Sequence, residues 1–152
     1  MNGQIFIVAT PIGNLEDITL RAIKVLESCD LIAAEDTRIA KKLLNHLGLK
    51  HKKLISYYDQ VERKKAEILV KRVQLEGLSL ALISDAGTPC ISDPGYHLVA
   101  TARKENVLVT PVPGVSSFVA LASVSGLSCH KLLFVGFLPN SSGKLKKEIR
   151  TW

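Results

Sequence analysis

Residues 79–95 (SLALISDAGTPCISDPG) constrain the fold of this chain more than any other stretch. Leu80 to Ile83 form a short apolar run, the pattern of a strand covered on both faces. The run then breaks into Asp85, Gly87, Thr88, Pro89, Ser92, Asp93, Pro94 and Gly95. A strand buried on both sides belongs to a sheet flanked by helices, and in open α/β sheets ligands bind at the carboxyl ends of strands. The plain structural reading of the same residues is a rigid connection into a proline-led helix. Both readings place the broken segment at one end of a sheet.

The same alternation recurs along the chain. Residues 4–9 read as a buried first strand, closed by a turn containing Pro11 and Gly13. Asp17 is the expected N-cap of a helix to Ser28, with Ile18, Ala22, Ile23 and Leu26 inward. Residues 30–34 read as a second strand. It ends in Glu35, Asp36, Thr37 and Arg38, where Asp36 or Thr37 caps the next helix and Glu35 lies near its positive end. Ile39, Leu43, Leu44 and Leu47 give that helix an apolar stripe, and Gly48 stops it. Residues 53–58 form a weaker strand, nearer the sheet edge. A polar helix over 62–76 turns Ala66, Leu69, Val70 and Val73 inward and ends at Gly77. After the strand at 78–84, Asp93 is expected to cap a helix with Pro94 at its first position, burying Leu98, Val99 and Ala102 and ending at Asn106. Residues 107–109 read as another buried strand. Pro113 and Gly114 make a turn, and Ser116 or Ser117 starts a helix carrying Phe118, Leu121, Ala122 and Val124, closed by Gly126. The apolar run 131–138 reads as a sixth strand, followed by a flexible link at 139–143 and the opening of a basic helix. The order predicts an α/β fold, a doubly wound, mainly parallel sheet with helices on both faces.

The chain has 152 residues, enough for one domain and part of another. We expect a first unit over residues 1–128 and an interdomain segment leading into a second over 129–152. No apolar run approaches the ~20 residues that span a bilayer. Residues 1–15 lack the basic and apolar regions of a signal peptide. Cys29, Cys90 and Cys129 are odd in number and far apart, which points to a reducing cytoplasm rather than disulfides. Neither they nor the four histidines have metal-ligand spacing, so no metal is expected. The GxGxxG and GxxxxGK[ST] patterns are absent, which argues against NAD, FAD and ATP.

The formal charge of +6 is unevenly spread. Arg38, Lys41, Lys42, Lys50, Lys52 and Lys53 occur with no acid among them, and Lys131, Lys144, Lys146, Lys147 and Arg150 face Glu148 alone. Such patches suit phosphate contacts, although lysines also simply solvate helix faces.

Four stretches carry a resemblance: 8–15 (VATPIGNL), 33–38 (AAEDTR), 84–95 (SDAGTPCISDPG) and the pair Pro113-Gly114, with 136–139 (GFLP) behind them. Together they resemble the ribosomal RNA methylases of the tetrapyrrole methylase superfamily, over essentially the whole chain. The resemblance implies S-adenosylmethionine as methyl donor, a cytidine ribose 2′-hydroxyl in the decoding region of small-subunit ribosomal RNA as acceptor, and a homodimer. By position it places the donor against Pro11, Ile12, Asp85, Ala86, Gly87, Thr88, Ser116, Ser117 and Phe137. The acidic motif is shared with the RNA methylases, so it goes to the acceptor side. Asp36 and Glu35 are then candidates to accept the hydroxyl proton, with Arg38 positioning a phosphate. Arg38, Lys41, Lys42, Lys52 and Lys53 are the expected RNA contacts. Ile39 and the run Tyr57-Tyr58-Asp59-Gln60 stand where the family more often has histidines, and Cys90 where it has glycine or a small or aliphatic residue. A second α/β domain normally follows the 136–139 segment. A small-molecule methylase of the tetrapyrrole kind and a non-catalytic RNA- or cofactor-binding module are the competing readings.

Overall fold

The structure, a computed structural model, describes residues 3–151; residues 1, 2 and 152, at the outer ends of the two expected units, lie outside the described residues. Its elements in order are β1 (Gln4–Val8), α1 (Leu20–Ser28), β2 (Leu31–Ala34), α2 (Thr37–His46), β3 (Leu54–Ser56), α3 (Asp59–Glu76), β4 (Ser79–Ile83), α4 (Tyr96–Lys104), β5 (Leu108–Val112), α5 (Ser117–Val124) and α6 (Ser142–Ile149). The strands form one sheet in the order β3-β2-β4-β1-β5, and every pair is parallel.

Helices cover both faces. On one, Ala22 and Leu26 of α1 and Ala40 and Leu44 of α2 pack on Val8, Ile32, Ala34, Ala81 and Ile83. On the other, Leu69, Val70 and Val73 of α3 and Leu98 and Ala102 of α4 pack on Ile5, Ala33, Leu80 and Leu82. Burying each Leu, Ile or Val here contributes about 1.5–3 kcal/mol before chain entropy is counted. The inward face expected for α3, Ala66-Leu69-Val70-Val73, is buried as a unit. Gly77 ends that helix in the left-handed region at φ 67°.

Local capping corrects two helix starts. Asn14 Oδ1 accepts the Glu16 N–H and organises a short 3-10 turn over Leu15–Asp17. Asp17 is therefore used inside that turn, and Thr19 caps α1 by accepting the Ala22 N–H at 3.1 Å. Before α4, Ser92 (φ 60°) and Gly95 (φ 142°) leave the right-handed region, so the helix begins after Gly95 rather than at Asp93.

Two strand expectations also change. β5 is an edge strand, with Leu108 61% exposed, and Pro111 is tolerated there because an edge need not receive its missing N–H. Residues 131–138 form no strand. Leu132, Leu133, Phe134 and Phe137 remain 46–90% exposed, and α5 before them buries no residue. An apolar run records a need for cover but does not specify a sheet edge as the cover.

Candidate active site at the carboxyl end of the sheet

The strand order brings all four signature stretches to one edge. β4 and β1 are central neighbours, so the turns after them face each other. Thr10 and Gly87 exchange backbone hydrogen bonds at 2.8 and 3.0 Å, and Gly87 reaches this geometry at φ 83°. Thr10 Oγ1 donates to the Ser84 carbonyl at 3.2 Å. On one side, the Asp36 N–H donates to Asp85 Oδ1 at 3.1 Å and ties the end of β2 to the end of β4. On the other, Thr88 Oγ1 donates to the Val115 carbonyl at 3.3 Å and ties in the turn after β5.

Two cavities flank the Asp85-Ala86 turn. The first, of about 140 Å³, gathers Ala86, Gly87, Thr88, Ser116, Ser117 and Phe137 from three separate stretches. Asp93, Ser92, Phe118 and Phe134 are also on its wall, and Phe118 and Phe134 stack with ring centres 5.1 Å apart. Sequence reasoning assigned Asp93 only to capping and missed Phe134, although Phe134 and Phe137 stand in the apolar run that forms no strand. The second cavity, also about 140 Å³, is lined by Pro11 and Asp85 together with Thr10, Leu15, Ile39 and Leu43. Ile12 lies against the Gly87 turn: a Cβ on Gly87 would meet its Cγ2 at 3.5 Å.

The loop between the first cavity and α4 is held in a strained form. Cys90 adopts φ 71°, a position where glycine is at ease, and Ser92 φ 60°. Gly95 cannot carry a side chain, since a Cβ would fall 2.4 Å from Cys90 Sγ and 2.8 Å from Leu82 Cδ2. Glu62 of α3 anchors the segment by accepting the Gly95 N–H at 2.8 Å. Burial, then the charges of Glu62 and Asp93, push the Cys90 thiol up to about 11.

The adjacent carboxylates Glu35 and Asp36 have opposite electrostatics. Asp36 caps α2 by accepting the Arg38 N–H at 2.8 Å, and the Arg38 guanidinium closes a fork on it, with one contact at 2.6 Å. Those bonds hold its carboxyl down at about 2. Glu35 moves upward, first through burial and then through the charge of Asp85, partly offset by the Asp85 backbone N–H. Asp93 is also raised, mainly by burial.

The basic stretch 38–53 divides between opposite ends of the sheet. Arg38, Lys41 and Lys42 lie in the first turns of α2, beside the cavities. Lys52 and Lys53 precede β3 and so lie at the amino end, about 15 Å away along a ten-residue helix. Lys52 Nζ donates to the carbonyls of Glu27 and Cys29 at the end of α1. It acts as a C-terminal cap, and it is not a free cation beside the site.

Comparison with known proteins shows where such an arrangement recurs. The sequence pattern of the Tetrapyrrole (Corrin/Porphyrin) Methylases matches residues 4–150. The ribosomal RNA small subunit methyltransferase I of Escherichia coli O157:H7 is 50% identical over 140 residues, covering 92% of this chain and 48% of that protein. Its namesake from Halalkalibacterium halodurans is 46% identical over 147 residues, covering 97% and 50%. The chain thus spans about half the length of the curated relatives it matches. Among solved structures, uroporphyrin-III-C-methyltransferase from Thermus thermophilus superposes with a TM-score of 0.60 at 22% identity, covering 82% of this chain and 54% of that one. A second structure of the Thermus enzyme, complexed with S-adenyl homocysteine, gives 0.56 at 23% identity, covering 90% and 57%. These two superpositions show the shared fold.

Proposed function

This chain belongs to the tetrapyrrole (corrin/porphyrin) methylase family, and from that membership we propose that it forms the donor-binding half of an S-adenosylmethionine-dependent methyltransferase acting on small-subunit ribosomal RNA. The names of its relatives, at 46–50% identity, support the RNA substrate over a tetrapyrrole. The finer reading is methylation of a cytidine ribose 2′-hydroxyl by a homodimer in the cytoplasm.

The observation that carries the reading is the first cavity. Three separated stretches, 86–88, 116–117 and 137, converge on it. Its residues suit the donor: Phe118, Phe134 and Phe137 offer aromatic faces for an adenine, Thr88, Ser116 and Ser117 offer hydroxyls, and Asp93 brings a negative charge toward a cation. At about 140 Å³ it encloses only part of such a molecule, since pockets for ligands of that class run to about 300–1,000 Å³. In this reading residues 129–152 lead into a second domain that supplies the facing wall, as the roughly doubled length of the relatives suggests.

A bound sulfonium donor supplies an activated methyl group, so the protein must align, exclude water and remove one proton. Glu35 fits the proton-accepting role better than Asp36. Its raised pKa brings it closer to working pH, whereas a carboxylate held at about 2 is a weak base. Asp36 and Arg38 shape the start of α2. Arg38, Lys41 and Lys42 face the RNA backbone.

The test has two parts. Titrating S-adenosylhomocysteine into the chain should shift the amides of Ala86–Thr88 and Ser116–Ser117, and unmoved loops at saturation would refute the donor site. A form carrying the second half should transfer labelled methyl groups to small ribosomal subunits, leaving one alkali-resistant linkage. Label recovered on a base, or on a small molecule alone, would reject the ribose reading.

A further inference from the structure

Part of the first cavity's wall comes from a loop that its own residues do not favour. Ser92 and Asp93 line the cavity from within the loop Thr88 to Gly95. Cys90 (φ 71°) and Ser92 (φ 60°) stand in the left-handed region, which residues other than glycine hold only where the surroundings fix them. The loop is tied at both ends. Thr88 Oγ1 donates to the Val115 carbonyl at 3.3 Å, and the Gly95 N–H donates to Glu62 Oε2 at 2.8 Å. Glu62 stands in the first turn of α3 and is not itself on the cavity wall. An acid there suits the helix dipole whichever way it points, but this side chain is only 13% exposed and is turned onto the loop. Its Oε1 lies 3.8 Å from His97 Nε2 of α4. Its main-chain carbonyl accepts the hydroxyl of the buried Tyr57 at 3.3 Å, so the anchor is itself held.

Resting on the donor reading above, we infer that Glu62 is a positioning residue: by holding the Gly95 N–H it sets the loop that presents Asp93 to the donor's sulfonium, and so lets the site tell donor from spent product. S-adenosylmethionine and S-adenosylhomocysteine differ by one methyl group and one positive charge. The rings of Phe118 and Phe134 and the hydroxyls of Ser116 and Ser117 meet both molecules alike, so the distinction falls to a charged group. Asp93 is the one titratable side chain on this wall among the described residues. It lies two residues before Gly95, inside the strained loop, so its direction follows that of the loop. Its pull on a cation weakens with distance, and a shift of about 1 Å spoils a positioned contact. Glu62 acts here as a hydrogen-bond acceptor rather than as a charge, since it reaches the cavity only through Gly95. A site that held the product as firmly as the donor would slow its own turnover, which gives the preference a use.

Titrating S-adenosylmethionine and S-adenosylhomocysteine separately into the 152-residue chain gives the ratio of their affinities. The unaltered chain should bind the sulfonium about fivefold more tightly, the reach of a partly exposed ion pair. Asp93→Asn should erase that preference, and Glu62→Ala should erase it too. Glu62→Gln keeps an acceptor for the Gly95 N–H and should restore it. Adding Asp93→Asn to Glu62→Ala should change nothing further, because the one residue acts through the other. A merely structural Glu62 would lower Tm and weaken both molecules alike, leaving the ratio as it was. Equal affinities in the unaltered chain, a preference retained in folded Glu62→Ala, or a loss in Glu62→Gln as large as in Glu62→Ala would overturn the proposal. Binding of neither molecule to the unaltered chain would reject the donor reading and the proposal with it, whereas binding of both with the ratio unmoved by Glu62→Ala rejects the proposal alone. Should Glu62→Ala fail to fold, Glu62→Asp, one methylene too short for the Gly95 N–H, takes its place. It should lose the preference, and a retained one would overturn the proposal.

Discussion

The backbone N–H of Asp36 donates to Asp85 Oδ1 at 3.1 Å, across 49 residues of sequence. This bond joins the turn after β2 to the turn after β4 and fixes the carboxylate of one motif against the main chain of the other. It also explains how two adjacent acids come to differ. Asp36 is drawn into helix capping by Arg38, while Glu35 is left half-buried beside the Asp85 charge.

Glu35→Gln should abolish methyl transfer in a form carrying the second half, with S-adenosylhomocysteine affinity nearly intact. The unaltered enzyme should gain activity as pH rises through a pKa above the usual glutamate range, and the variant should lose that limb. The sign for stability is opposite to the usual acid. A raised folded pKa means the fold binds its proton more tightly than the unfolded chain, so this group's contribution falls as pH rises through that pKa. Glu35→Gln should therefore melt higher than the parent at neutral pH, and the difference should vanish in acid. Melting curves across pH that show a lower Tm at neutrality would contradict the assigned shift.

Asp36→Asn preserves an N-cap residue of equal rank, while Asp36→Ala removes it and should cost about 0.5–2 kcal/mol. Urea unfolding separates the two. Methyl transfer by Asp36→Asn should fall far less than with Glu35→Gln, because a carboxyl held at about 2 is a poor proton acceptor. An equal collapse in both variants would return the base to Asp36. Asp36 contributes its stabilisation above the ordinary aspartate range, and that contribution is lost as pH falls toward about 2.

Lysines that are neighbours in sequence should behave differently. Lys41→Gln and Lys42→Gln should weaken RNA binding and lower its salt slope by roughly 0.7–0.9 for each phosphate left without its lysine, with stability changed by no more than about 0.5 kcal/mol. Lys52→Gln should do the reverse. Removing the ammonium from the carbonyls of Glu27 and Cys29 costs about 1–2 kcal/mol, and the salt slope stays as it was. A slope change in Lys52→Gln would show that RNA reaches the amino end of the sheet.

Gly95→Ala should destabilise the chain by about 1–3 kcal/mol or more. The new methyl has no room between Cys90 Sγ at 2.4 Å and Leu82 Cδ2 at 2.8 Å, and φ 142° adds strain. Glu62→Gln keeps an acceptor for the Gly95 N–H and should cost less than Glu62→Ala, which leaves that donor without its partner. Denaturant midpoints in which Gly95→Ala matches the parent would mean that the loop can relax.

Phe137 is 90% exposed, and its contribution should be to ligand binding rather than to folding. Phe137→Ser should leave Tm unchanged and weaken S-adenosylhomocysteine binding. A fall in Tm with unchanged binding would move Phe137 from the donor cavity to the fold.

The sequence by itself determined the alternation of strands and helices, the inward face of α3 and the four broken turns, because each is written in local periodicity and backbone chemistry. Ala66, Leu69, Val70 and Val73 share one face of a helix by their spacing alone, and Gly77 favours the left-handed turn that ends it. Apolarity alone could not separate the buried β4 from the edge strand β5, nor either of them from residues 131–138, since a hydrophobic run does not name its partner. Only the tertiary structure decided the strand order that places the turns after β2, β4, β1 and β5 side by side. It also parted Lys42 from Lys52, which a helix carries to opposite ends of the sheet, and separated Pro11 and Asp85 from the residues of the first cavity. Glu35 and Asp36 are neighbours in the sequence, yet their proton affinities diverge. Burial and the charge of a residue 50 positions away act on one, and an arginine fork acts on the other. Such effects depend on distances between groups that share no local pattern, so the folded chain sets them.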